Sequence, residues 1–68
     1  MTDHWLAPNR HVSDWHFVDA DGNILGGVSK GLLRWQWHAR GGYGGGEHTL
    51  ASAKRAVEHA VSIEKGRK

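Results

Sequence analysis

Six histidines, at positions 4, 11, 16, 38, 48 and 59, are the first side chains that could do chemistry. A zinc centre asks for three or four protein ligands at a recurring spacing. No two of these histidines stand four residues apart, and only His16 and His38 become neighbours if the segments carrying them pair. No metal or other cofactor is expected. The stretch Asp19-Ala20-Asp21-Gly22-Asn23 suggests a calcium loop, but the spacing is wrong for one. An EF-hand needs glycine at its sixth position and glutamate at its twelfth, whereas here Gly22 is fourth and Lys30 is twelfth. Asp-Gly is turn chemistry first.

Covalent and acid–base catalysis lack their parts. The chain has no cysteine and no serine set in a nucleophile elbow, and Asp14, Asp19 and Asp21 fall at strand ends and in a turn. The expectation is a protein that is not an enzyme.

The glycine run Gly41-Gly42-Tyr43-Gly44-Gly45-Gly46 could cradle a phosphate, so its register matters. A P-loop places lysine directly after its last glycine. Here Glu47 and His48 follow, with the wrong charge. A dinucleotide fingerprint fails too, because Glu47 occupies the position of its last glycine and the helix that follows runs out at the end of the sequence. Three readings remain open: a sheet-to-helix connector, a nest of backbone amides that contacts an anion, and an adaptable contact loop with Tyr43 as its anchor.

These residues need a scaffold, and the hydropathy pattern supplies one. Trp15 and Phe17 alternate with His16 and Val18, and Asp-Gly then turns the chain into a second strand over 24–29. Over 32–39, Leu33, Trp35, Trp37 and Ala39 alternate with Arg34, Gln36 and His38, the pattern of a half-buried antiparallel strand. From Thr49, a good N-cap, Leu50, Ala53, Ala56, Val57, Ala60, Val61 and Ile63 form the apolar side of a helix. Lys65, Arg67 and Lys68 suit the negative end of its dipole. The predicted fold is α+β: a three-stranded antiparallel meander, with room for a short fourth strand near 43–48, packed on one C-terminal helix. Residues 1–11 are an arm, 13–39 the meander, 40–48 a glycine-rich loop and 49–65 the helix, all in one domain of 68 residues.

A domain this short buries only about 60% of its unfolded surface, so its four tryptophans carry much of the packing. Nine basic against seven acidic side chains give a formal charge of +2, and the histidines add to it on acidification. No segment approaches the roughly 20 apolar residues of a membrane span, and residues 1–11 lack the pattern of a signal peptide. A cytoplasmic protein with no membrane partner is expected.

The sheet face away from the tryptophans is the candidate partner-binding site. It would show His16, Val18, Lys30, Arg34, Gln36 and His38, bordered by Arg40 and Tyr43, with Asp14 at its edge as its acidic residue. Its positive field suits an acidic partner or a phosphate backbone.

Trp35, Gln36, Trp37, His38, Ala39 and Arg40 form an aromatic-basic strand, followed by Thr49, Ala53 and Ala56 at a helix start. In these features the segment from Trp35 to Val57 resembles the DNA-binding domain shared by plant AP2/ERF factors and the N-terminal arms of some integrases. That resemblance implies a three-stranded sheet on one helix that reads the major groove. In size, in its tryptophan-rich sheet and in the helix pattern Thr49, Ala53, Lys54, Ala56, Glu58, the chain is also similar to small proteins of phages and mobile elements, anti-CRISPR proteins and polymerase inhibitors among them. This second resemblance implies a non-enzymatic protein that occupies a surface of a host protein or ribonucleoprotein complex handling nucleic acid. Direct binding of DNA or RNA by the same face is the alternative, and a homodimer through exposed sheet edges is compatible with either.

Overall fold

A computed structural model gives the fold and describes residues 3–11 and 13–66. Among the described residues five strands precede one helix: β1 (His4–Leu6), β2 (Trp15–Val18), β3 (Ile24–Lys30), β4 (Trp35–Ala39), β5 (Tyr43–Glu47) and α1 (Leu50–Gly66). Each strand pairs antiparallel with its chain neighbour, so the sheet order is the chain order. The α+β class, the meander and the C-terminal helix match the sequence reading. The strand count does not: there are five, against three or four expected.

β5 is the short fourth strand for which 43–48 had room, and β1 is the strand not expected; both lie where hydropathy carries no period. β1 lies in the segment read as an arm and pairs Trp5 with Phe17, their rings 4.8 Å apart. β5 occupies most of the segment read as a glycine loop, in continuous register with β4 from Tyr43 opposite Ala39 to Glu47 opposite Trp35. Glycine has no side chain to reveal a face, so alternation is silent there.

The turns follow residue chemistry. At the β2–β3 turn the Asp19 amide donates to the Asn23 carbonyl at 3.0 Å, Gly22 takes a φ of 87°, and the Asp19 carboxylate accepts the Asp21 and Asn23 amides at 2.9 Å each. Between β4 and β5, Gly41 and Gly42 supply the positive φ values of 89° and 86°. A register shift between Phe17 and Val18 sets Val18 opposite Ile24, and Leu25 is buried in the core beside it.

Helix α1 starts at its predicted cap, where the Thr49 hydroxyl accepts the Ser52 amide at 3.1 Å. It buries Ala53, Val57, Ala60 and Val61 against Phe17, Leu25, Val28 and Ala39, with Trp5, Trp15, Trp35, Trp37, Tyr43 and Leu50 packed around this centre. Close approach needs Gly26, where a Cβ would stand 2.7 Å from both the His38 carbonyl oxygen and Val57 Cγ1.

Two assigned core positions are corrected. Ile63 is 43% exposed, because at about 100° per residue it lies off the stripe that Val57, Ala60 and Val61 define. Glu64 falls on that stripe instead, with one carboxylate oxygen buried. Leu33 belongs to the β3–β4 turn and not to the core face of β4, and it is 87% exposed. Arg67 and Lys68, the other expected helix-end cations, lie outside the described residues.

Candidate macromolecular interface

Strand alternation divides the expected site residues between two faces. Leu6, His16, Gly27, His38 and Gly44 form one register row across all five strands, on the face opposite the helix. The strands carrying His16 and His38 do not pair with each other, as the sequence reading required for them to be neighbours; β3 lies between them, and the two histidines flank its Gly27. The missing side chain at Gly27 has a use: a Cβ there would meet His38 Cε1 at 3.0 Å, so the imidazole lies across the glycine. The next row holds Ser29, Gln36 and Gly46. Arg34 lies over Gly46, where a Cβ would come within 2.5 Å of its Cδ.

Lys30, Arg40 and Tyr43 belong to the other side. Lys30 is two residues from the buried Val28, hence on the helix side, and its Nζ lies 6.0 Å from the centroid of Trp35. Tyr43 pairs with the buried Ala39 and is itself half-buried against the core. Arg40 lines a cleft with Asp19, Leu25, Val61, Glu64 and Lys65. Asp19 is held below the usual carboxylate range, first by the Asn23 backbone amide and then by the Asn23 side chain, with a smaller contribution from Arg40. Val18 points away from the helix by alternation, yet it is 2% exposed and offers little to a partner.

The outer face carries one formal cation, Arg34, together with His4, His16 and His38, and Asp14 stands near its margin. Lys30, Arg40, Lys54, Arg55 and Lys65 share the helix side or the helix with Asp19, Glu47, Glu58 and Glu64. Among the described residues, no three of His, Cys, Asp or Glu converge as a metal-binding group, and no helix is long and apolar enough to cross a membrane.

The most exposed apolar side chains, Leu32 and Leu33, were missed in sequence because Leu33 extends the apolar alternation of Trp35, Trp37 and Ala39, so that the strand was begun at residue 32. The Gly31 amide donates to the Arg34 carbonyl at 2.9 Å, leaving Leu32 and Leu33 as the two residues at the hairpin tip, 100% and 87% exposed. Tight two-residue hairpins favour glycine or asparagine with positive φ, and no non-glycine residue described here has positive φ. Turn chemistry therefore does not account for leucine at either position. The signal available in sequence was the spacing itself: Lys30-Gly31 leaves the Leu-Leu pair inside the turn.

Compared with known proteins, the chain matches no family model, and no curated protein or solved structure proves similar to it.

Proposed function

We propose that this chain is a non-enzymatic interaction protein that binds a partner protein through the outer sheet face and the β3–β4 hairpin tip. The observation that carries this is the pair Leu32–Leu33, solvated at the tip beside Arg34. Two solvated leucines bring no stability to the monomer. Burying each against a partner is worth about 1.5–3 kcal/mol. Arg34 then supplies positive charge, and Gln36, His16 and His38 supply hydrogen bonds, to a partner with a carboxylate-rich rim. Lys30, Arg40 and Tyr43 serve as margin contacts reached around the sheet ends. That the partner belongs to a host complex handling nucleic acid, and that the chain acts as a blocking protein of phage or mobile-element type, rests on its likeness in size and pattern to such proteins.

The test is a comparison of captured partners. Immobilised wild type, a Leu32→Ser/Leu33→Ser double variant and Arg34→Glu are exposed to the same host lysate, with circular dichroism confirming each fold. Loss of the same captured protein from both variants is expected; identical capture by all three would remove this surface from the reading. Direct nucleic-acid binding is favoured by one observation, the concentration of Arg34 and three histidines on a face with a single marginal carboxylate. Fluorescence polarisation with single- and double-stranded DNA and RNA decides it. Direct binding requires affinity that falls by roughly 0.9 log units per log of salt for each phosphate neutralised.

A further inference from the structure

The sheet ends in two edges of different character. β1 spans three residues, precedes Pro8, and is tied to α1 by the Trp5 indole donating to the Glu58 carboxylate at 2.8 Å and by the Asp3–Lys65 ion pair. Short length and proline are common protections of an exposed edge. β5 spans five residues, pairs with β4 without a register shift, and contains no lysine, arginine or proline. Its sequence is Tyr-Gly-Gly-Gly-Glu.

Glycine is a poor strand residue, so each of the three needs a reason. Gly46 makes room for Arg34, and Gly45 for the Trp37 indole, whose Nε1 would lie 3.1 Å from a Cβ there. Gly44 is different, because a Cβ at that position would meet only the Trp37 carbonyl oxygen at 3.3 Å. That contact is tight but milder than those at Gly45 and Gly46, and no side chain of the monomer fills the space over Gly44. Glycine there leaves the outer face bare beside the free edge.

We propose that β5 is the pairing edge of a two-fold homodimer, in which the β5 strands of two copies run antiparallel about Gly45 and join their sheets. The sequence is complementary to its own reverse. Centring on Gly45 sets Gly44 against Gly46 and Tyr43 against Glu47 of the other copy. Tyr43 and Glu47 project on the same side of β5, so the phenol of one copy can donate to the carboxylate of the other, twice per dimer. On the opposite side, Arg34 of one copy lies over its own Gly46 and so beside Gly44 of the other, where no side chain blocks it. An isologous contact of this kind closes on itself. One pair of five-residue strands is a small interface beside the roughly 1,600 Å² of a stable complex, so the dimer forms only at high concentration. Dimerisation would align two outer faces and two leucine tips, but it does not depend on what they bind.

Sedimentation equilibrium of the full chain over a wide concentration range tests the proposal, with variants at Gly44 to read the register. Wild type is expected to show a reversible monomer–dimer equilibrium. Gly44→Lys, which sets an ammonium beside Arg34 of the other copy, should weaken it by about tenfold or more, while Gly44→Glu, opposite in charge at the same place, keeps or tightens it. Hydrogen exchange on wild type supplies a reading free of substitution: amides within 43–47 should gain protection as concentration rises. A wild type that stays monomeric throughout overturns the proposal. So does a dimer indifferent to both variants, or one weakened equally by both.

Discussion

Asp19 closes the β2–β3 hairpin with one carboxylate that accepts two backbone amides and the Asn23 side-chain amide, the last at 3.1 Å. These bonds favour the ionised form and hold its pKa below the ordinary 3.8. Because the folded value is the lower one, this contribution is fully present above the unfolded pKa and disappears as pH falls through the folded value. Asp19→Ala should therefore lower the melting temperature at neutral pH, with the difference from wild type shrinking in acid. Asp19→Asn, which keeps an oxygen acceptor for both amides, should lose less. Thermal melts of the three proteins from about pH 7 to about pH 2 would check this, and a gap independent of pH would mean that Asp19 acts through shape alone. This turn was legible because Asp-Gly has a local physical meaning. Leu33 was not, because apolar alternation does not mark where a strand stops, and a leucine two residues before Trp35 continues the pattern into solvent.

Between elements, the controlling contact is the helix seated on the sheet at Gly26. Gly26→Ala drives a methyl into the His38 carbonyl oxygen and Val57 Cγ1 at 2.7 Å, and such overpacking costs about 1–3 kcal/mol. Val57 is fully buried, and Val57→Ala alone should cost about 2 kcal/mol. The double variant should be more stable than the sum of the two predicts, since the shorter side chain clears one of the two clashes. A coupling of about 1 kcal/mol from urea melts is the expected result, and strict additivity would show that the His38 carbonyl dominates. At the far edge, β1 is held by Trp5, whose ring packs at a 38° tilt against Phe17 and which shares the Lys54 ammonium with Trp15, at 5.5 Å and 3.6 Å from the two ring centroids. Trp5→Ala should expose the amides of His4–Leu6 to rapid hydrogen exchange while β3 and β4 keep their protection. The helix and these central strands were readable because burial imposes a period on their side chains. β1 is too short to show a period, and β5 is written in glycine, so both depend on the neighbours they pair with.

For the molecule as a whole, 68 residues without a cysteine leave hydrophobic packing and the hydrogen-bonded sheet as the sources of stability. At about 0.7 kcal/mol per residue near 60 °C, unfolding should absorb about 50 kcal/mol in a broad transition, and a single small domain should unfold in one step. In dilute solution the calorimetric and van't Hoff enthalpies should then agree. Pairing through β5 changes that in a defined way. A state that forms only between folded chains is stabilised by mass action, so the midpoint rises with protein concentration. Scanning calorimetry of wild type and Gly44→Lys at low and high concentration should show the midpoint climbing for wild type and climbing less for the variant. A midpoint fixed in both would assign all the stability to the monomer, with its bare glycine edge contributing none. A midpoint climbing equally in both would place the contact on another surface, for which the solvated leucines at the β3–β4 tip are the first substitutions to make.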